Sequence, residues 1–248
     1  MNAWFLLVLI ALLAGRPAQA QEAPLIADLS NHLVAITTGF TGTDVLLFGT
    51  IDGPGDVVVT VTGEREEVTV RRKERVAGIW INTRRVRFAE VPRFYAAASS
   101  RPVGDILSPT LLTRHQIGTA NLRLVPDPAA RLEPAELNAF RAALLRLRQG
   151  DESFQREVGA VQFLGTRLFR ANLHVPATVP TGTLTVAVYL VRDGQVVNAQ
   201  TTPLVVSKIG LGAEVYEFAH RQALVYGLIA VTIALVAGWG AGAIFRKQ

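Results

Sequence analysis

The sequence predicts a mainly β protein, an immunoglobulin-like antiparallel sandwich with a helical insertion, followed by one C-terminal transmembrane helix. Three observations lead to this fold class. Short runs of alternating polar and apolar residues, separated by Gly, Pro and Asp, fill two parts of the chain, ahead of residue 105 and after residue 159. The segment between them changes to a helical period. Residues 223–245 carry no charged side chain. The strand pattern fits one sandwich or two small ones.

The uncharged segment 223–245 is long enough to cross a membrane. A helix of that length rises roughly 34 Å, and the hydrocarbon core of a bilayer is about 30 Å thick. Arg246 and Lys247 follow directly, and the positive-inside rule assigns such residues to the cytoplasm. We therefore predict a single-pass inner-membrane protein that has the lipid bilayer as a partner, most of its chain in the periplasm and its C-terminus in the cytoplasm.

The N-terminus has the pattern of a secretory signal peptide. An apolar run over residues 5–13 precedes Ala18-Gln19-Ala20, a small-x-small cleavage sequence. Cleavage before Gln21 is predicted, and the alternative is an uncleaved segment embedded in lipid. The predicted organisation is a signal peptide (1–20), a first sandwich part (21–105), a helical insertion (106–158), a second sandwich part (159–208), a juxtamembrane segment (209–222), the transmembrane helix (223–245) and a tail (246–248).

Local patterns support particular elements of this plan. Val57, Val59 and Val61 alternate with Val58, Thr60 and Thr62, which predicts a half-buried strand. Asp193-Gly194 predicts a type I′ hairpin turn. Gly53-Pro54-Gly55 is interpreted as a hairpin loop rather than a phosphate cradle.

One helix of the insertion is predicted over residues 134–149, because Pro134 is suited to a first helical turn and Gly150 follows the end. Its buried stripe is expected to include Phe140, Leu144 and Leu147, with Arg148 on the solvent side.

Composition excludes several kinds of chemistry. The 248 residues include no cysteine, so disulfides, thiol redox chemistry and thiolate metal sites are absent. Three of the five excess positive charges belong to Arg16, Arg246 and Lys247, which leaves +2 for residues 21–245 and gives no support to nucleic-acid binding. The four histidines are scattered, and no nucleophile elbow or phosphate loop is present. We expect no catalytic residues, no cofactor and no metal site, and hence no enzyme.

The densest charge cluster flanks Gly78-Ile79-Trp80-Ile81-Asn82. If the flanking segments pair as a hairpin through Ala77-Gly78, several of their arginines would converge on one sheet face and bind a small anion, because guanidinium groups offer forked donors to oxyanions. The candidate anion-binding residues are Arg71, Arg72, Arg84, Arg85, Arg87 and Arg93. The alternative is a solvated strand face that nearby glutamates neutralise, with Trp80 in the core.

The C-terminal segment contains a second candidate site. Ala230, Ala234, Gly238 and Gly242 recur every four residues, which places small side chains along one stripe of the helix. Such a stripe allows a second helix to approach closely, and Gly-x-x-x-Gly is the packing motif of membrane helix pairs. It predicts a partner membrane protein, against the alternative that Gly and Ala are common in membrane spans.

Several short motifs resemble those of the alphaproteobacterial putative transmembrane protein family, from about residue 22 to the C-terminus. They are Ala27–Ser30, Phe48-Gly49, Val70–Lys73, Gly78–Asn82, Val91–Tyr95, Ser99–Pro102, Val175-Pro176, Thr181–Thr183, Val188–Leu190 and Phe218–Arg221. The resemblance implies an inner-membrane protein, often considered alongside sulfite-exporter-type permeases, and it supplies no catalytic residue.

Three functional hypotheses follow from these observations. The first is a non-enzymatic accessory or assembly subunit of a membrane transporter, of sulfite-exporter type if the resemblance holds. The second is a periplasmic module that binds a small oxyanion through the arginine cluster. The third is a structural protein of the envelope. The sequence does not identify the partner, the ligand or the oligomeric state.

Overall fold

A computed structural model describes residues 24–130, 132–210, 216 and 218–245. The predicted signal peptide (1–20) and tail (246–248) lie outside the described residues, as does part of the juxtamembrane segment. The described part of the chain is mostly β, with 48% of it in strands and 27% helical, which confirms the predicted class. The immunoglobulin-like detail stays a prediction.

Twelve strands and four α-helices are described. The strands are β1 (Leu25–Leu29), β2 (Leu33–Ile36), β3 (Gly42–Ile51), β4 (Asp56–Thr62), β5 (Arg65–Val76), β6 (Ile79–Pro92), β7 (Tyr95–Ser99), β8 (Val125–Pro126), β9 (Gly159–Leu164), β10 (Leu168–Pro176), β11 (Gly182–Arg192) and β12 (Gln195–Lys208). The helices are α1 (Val103–Ile106), α2 (Pro109–His115), α3 (Pro134–Gly150) and α4 (Ala223–Phe245).

Nine strands form one curled sheet in the order β1-β3-β10-β9-β7-β4-β11-β12-β2. Strands from before and after the helical insertion interleave, since β3 pairs with β10 and β4 pairs with β11. The curl brings β1 next to β12, where the Gln200 carboxamide donates to the Ala27 carbonyl at 2.7 Å and accepts from the Ala27 N–H at 2.9 Å. The two predicted sandwich parts therefore share one sheet and one core, which the inner face of the curl encloses.

Strand β4 is buried on both faces, so the prediction of a half-buried strand is wrong. Val57, Val59 and Val61 belong to the enclosed core. On the opposite face, Val58 packs with Ile106 and Ile117, from α1 and from the segment after α2. The insertion thus covers a surface that the local pattern assigned to solvent.

The turn at Asp193-Gly194 is confirmed as a hairpin connection. Both residues have positive φ, 49° and 73°, as a type I′ turn requires, and Arg192 pairs with Gln195 across it. The Gly53–Gly55 segment is not a hairpin loop, however. It connects β3 to β4, which pair with different neighbours in the sheet, so it crosses between the two layers of the curl.

Helix α3 begins at Pro134 as predicted, but its C-terminal turn faces differently. Phe140 and Leu144 are buried, whereas Leu147 is 61% exposed. The Arg148 side chain is only 15% exposed and forms an ion pair with Glu66 of β5. The expectations that Leu147 is buried and that Arg148 faces solvent are therefore wrong. Arg148 can point inward because Glu66 supplies a carboxylate partner, which the helical periodicity of the sequence does not show.

Strands β5 and β6 form a long antiparallel ribbon that continues the β4–β7 ladder. Thr62 pairs with Tyr95 and Arg65 with Pro92. Between these pairs, the Gly63 N–H donates to Phe94 O at 2.8 Å, and the Arg93 N–H donates to Glu64 O at 2.8 Å. The ribbon therefore extends β4 and β7 beyond the curled sheet, and it turns back at Ala77-Gly78, where both residues have positive φ. The hairpin through these two residues, on which the anion-binding hypothesis depended, is therefore present.

Helix α4 confirms the C-terminal apolar segment as one helix. Its stretch Ala223–Ala241 has a mean hydropathy of 2.0 and is not buried against any described part of the chain. By length and composition it is the one candidate membrane span among the described residues.

Candidate functional site

The distal part of the β5–β6 ribbon, residues 71–85, is the most unusual surface of the body, and we call it the ribbon tip. Four apolar side chains at its end face solvent: Val76 (50% exposed), Ile79 (68%), Trp80 (65%) and Ile81 (44%). Trp80 therefore does not lie in the core, contrary to the alternative expectation. The turn residues place it beyond the reach of α3 and the sheet.

Side-chain alternation divides the candidate arginines between the two faces of the ribbon. Arg72 and Arg84 are paired residues on the face that also carries the buried Val70 and Val86. Arg71, Arg85 and Arg87 lie on the opposite, exposed face. Three of the six candidate arginines therefore share one face of the ribbon, and Arg72 and Arg84 lie on the other.

The inner-face arginines are held by helix α3. Glu136 accepts from Arg72 Nη1 at 3.2 Å through one carboxylate oxygen and from Arg84 Nη1 at 2.5 Å through the other. The Arg72 guanidinium also lies 5.0 Å from the centroid of the Phe140 ring, within cation–π range. These contacts fix the ribbon against α3 and neutralise part of its charge.

The outer face keeps its charge. Arg71, Lys73, Arg75 and Arg85 are exposed, and no carboxylate among the described residues lies within 4.0 Å of their charged groups. Arg75 Nε donates to the Gly78 carbonyl at 3.2 Å, which holds it beside the turn.

The other two candidate arginines lie closer to the body. Arg87 Nε is 3.1 Å from a Glu67 carboxylate oxygen, and Arg93 Nε is 3.5 Å from a Glu66 carboxylate oxygen. Both are thus already compensated, so an anion would find its free partners nearer the turn.

The small-residue stripe of α4 faces no other part of the described chain. Ala230, Ala234 and Gly238 are exposed, and a Cβ added to Gly238 would meet no atom within 4 Å. Gly242 belongs to the same helix. The stripe from Ala230 to Gly238 is therefore sterically free to receive a second helix.

A cleft of about 690 Å³ lies at the opposite end of the sheet from the ribbon, between the 52–56 loop and the 193–194 turn. Both of its arginines are paired with carboxylates, since Arg101 holds Asp56 and Arg192 holds Asp52. The Arg101 hydrogen bond keeps the pKa of Asp56 below its ordinary value, although partial burial opposes the shift. The cleft presents no nucleophile with an adjacent base.

Tyr95 joins the insertion to the sheet. Its hydroxyl donates to Gln116 O at 2.8 Å and accepts from the Gly118 N–H at 2.7 Å, and burial raises its pKa. Among the described residues no group of three His, Cys, Asp or Glu side chains is placed to hold a metal ion.

The apolar end of the ribbon is the functional candidate that sequence reasoning missed. The signal is present in the sequence, since Val76-Ala-Gly-Ile-Trp-Ile concentrates apolar residues around a two-residue turn. Turns are normally polar, so an apolar turn flanked by basic strands indicates a surface that contacts something.

Together, a β-sheet body and an exposed apolar C-terminal helix define a membrane-anchored protein. The chain belongs to the family described as Putative transmembrane protein, whose sequence model matches residues 24–247. This confirms the resemblance seen in the short motifs. No curated protein and no solved structure matches the chain.

Proposed function

We propose that this chain is a non-enzymatic accessory or assembly subunit of a multi-span membrane transporter. The observation that carries the proposal is the free small-residue stripe of α4, which no described part of the body covers. A helix that served only as an anchor has no need of a side-chain-free stripe, whereas close helix–helix packing depends on one. The sequence resemblance supports a sulfite-exporter-type permease as the partner.

The proposal includes a topology. Cleavage of the signal peptide at residue 20 leaves the β-sheet body in the periplasm, α4 in the inner membrane and the C-terminus in the cytoplasm. The positive residues after α4 support this orientation. The body would then sit over the periplasmic side of the partner and stabilise or cover it.

The test is co-purification from membranes solubilised in a mild detergent. Gly238→Leu adds a large side chain to the stripe, and Gly238→Leu/Gly242→Leu adds two. Gly240→Leu is the matched control, because two residues correspond to a rotation of about 200° and place the leucine on the far side of the helix. We expect the stripe variants to lose a multi-span partner that the control retains. Identical sets of co-purifying proteins would remove the docking proposal.

A second candidate function is the binding of a small oxyanion. Arg71 and Arg85 are opposite each other on the exposed face of the ribbon, and paired forked donors suit sulfate, sulfite or phosphate. Titration calorimetry of the full chain in detergent, with each anion at low and at moderate salt, tests this function. Heat that disappears at moderate salt would indicate a screened, diffuse patch and would contradict a specific site.

A further inference from the structure

We propose that the ribbon tip is a second membrane contact, which inserts its apolar end among the headgroups of an anionic bilayer. The proposal does not depend on a transporter partner. It rests on three observations. The end of the ribbon is apolar and exposed, the cations behind it have no carboxylate partner among the described residues, and the ribbon leaves the body at the same end as the chain that leads to α4.

The apolar end has side chains on both faces of the ribbon. Two cross-strand pairs lie on the face that α3 covers nearer the body, Glu74 with Ile81 and Val76 with Ile79. The pair between them, Arg75 with Trp80, lies on the other face. A β-turn with apolar residues on both faces cannot bury them against one flat partner. It can bury them by entering the headgroup layer of a bilayer, where indole rings are favoured.

The charge behind the apolar end complements an anionic surface. Residues 71–85 contain six basic side chains and one acidic one. Arg71, Lys73, Arg75 and Arg85 share the outer face with Trp80, and the carboxylate of Glu136 is on the opposite side. Long basic side chains next to buried apolar residues place their charges at the level of lipid phosphates.

The ribbon leaves the body at the same end as the chain that leads to α4. Thr62 at the end of β4 pairs with Thr185, and Thr185 pairs with Pro203 of β12. Because β4 and β12 are both antiparallel to β11, they run in the same direction. The ribbon that continues β4 and the segment that follows Lys208 therefore depart from one end of the sheet.

The two lengths are compatible with a common membrane plane. The 12 residues of β5 span roughly 40 Å at ~3.3 Å per residue. Residues 218–221 are helical and lead into α4, so the extended connection is limited to residues 209–217, which reach at most about 30 Å at the same rise. The tip can therefore reach the surface of the bilayer in which α4 is anchored.

The readout is the environment of Trp80. Replacing Trp4 and Trp239 by Phe leaves Trp80 as the single tryptophan of the chain. The full chain is placed in nanodiscs of phosphatidylcholine alone, or with about one third phosphatidylglycerol to supply anionic surface charge. Quenching by brominated lipid reports immersion, and quenching by iodide reports exposure to water. We expect lipid quenching and protection from iodide in the anionic nanodiscs, both reduced at high salt.

Charge variants test the recognition. Arg71→Gln/Arg85→Gln is expected to lower the ratio of inserted to free tip about thirtyfold, because each basic residue near an anionic surface contributes about 1 kcal/mol. Arg156→Gln/Arg167→Gln is the control, since both residues are exposed and neither belongs to the ribbon. Ile79→Ser/Ile81→Ser tests the apolar part and is also expected to restore iodide quenching. Unchanged thermal unfolding of all variants separates these effects from folding.

Four outcomes would overturn the proposal. The first is that iodide still quenches Trp80 in anionic nanodiscs. The second is that Trp80 is as well protected in neutral nanodiscs, and in the charge variant, as it is in the native chain in anionic nanodiscs. Inorganic phosphate at constant ionic strength would release the tip, which would indicate a small-anion site. Protection that occurs only in native membranes would indicate that a partner protein covers the tip.

Discussion

Replacement of Glu136 by Gln is expected to loosen the ribbon from helix α3. The Glu136 carboxylate accepts from Arg72 and Arg84 at 3.2 and 2.5 Å, and its own side chain is only 17% exposed. Glutamine keeps the size of the side chain but removes its negative charge. The substitution therefore leaves two adjacent guanidinium groups facing each other without their shared counter-ion.

The expected cost is about 1.5 kcal/mol. Partly exposed ion pairs contribute about 0.2–1 kcal/mol each, and the two arginines are 36% and 58% exposed, which places them within that range. Repulsion between the released arginines adds to the loss. A cost of about 1.4 kcal/mol corresponds to tenfold in an equilibrium constant, so local opening of the ribbon should become about tenfold more frequent.

Native-state hydrogen exchange read by mass spectrometry measures this opening directly. Amides of β5 and β6 should exchange about tenfold faster in the variant, whereas amides of β11 and β12 should be unchanged. Glu133→Gln is the matched control, because Glu133 is exposed, precedes the same helix and makes no side-chain cap hydrogen bond. Equal exchange in both variants, or no acceleration in either, would refute the role of Glu136.

Three further predictions concern the body, each read by thermal unfolding of the full chain in detergent. Tyr95→Phe should cost about 2 kcal/mol by leaving two backbone groups without their hydroxyl partner, whereas Tyr189→Phe should change little; equal melting points would contradict this. Gly49→Ala should cost about 3 kcal/mol or more, because a Cβ there would lie 2.4 Å from a backbone oxygen of β1, whereas Gly104→Ala meets no such contact; similar unfolding would show that the sheet yields. Asp56 has a lowered pKa in the folded state, so its contribution to the free energy of unfolding is complete above its unfolded pKa of about 3.9 and is lost as the pH falls through the folded pKa. Asp56→Asn should therefore reduce the loss of stability in acid. An unchanged dependence of the melting point on pH would contradict this assignment.

Local patterns identified the elements that depend on neighbouring residues. The Asp193-Gly194 turn and the start of α3 at Pro134 follow from backbone preferences that act within a few residues. The apolar helix α4 follows from composition alone. In each case the physical cause lies inside the segment, so the sequence contains it.

The pairing of strands that are distant in sequence could not be predicted in the same way. Nothing in β3 or β4 indicates that β10 and β11 are their partners, and this interleaving decides that both halves share one sheet. For the same reason β4 was expected to have a solvent face, although the insertion covers it. Burial of a strand depends on elements that are distant in sequence.

The sequence predicted that the basic residues form a cluster, but not which face of the ribbon each of them occupies. A hairpin through Ala77-Gly78 was a condition of the anion-binding hypothesis, and it brings the basic residues close together. The register then placed Arg72 and Arg84 on one face and Arg71 and Arg85 on the other. The alternative interpretation placed Trp80 in the core, but this side chain is 65% exposed at the end of the ribbon.

The central claim is that one C-terminal span holds the β-sheet body on the side of the membrane opposite to Arg246 and Lys247. The native chain has no cysteine, so single cysteines report accessibility without background. Thr178→Cys lies in an exposed turn of the body, and Gln248→Cys lies at the end of the tail. With a membrane-impermeant maleimide on intact spheroplasts, the account predicts that Thr178→Cys is labelled and that Gln248→Cys is labelled only after lysis. Labelling of Gln248→Cys in intact spheroplasts, with Thr178→Cys protected until lysis, would contradict it.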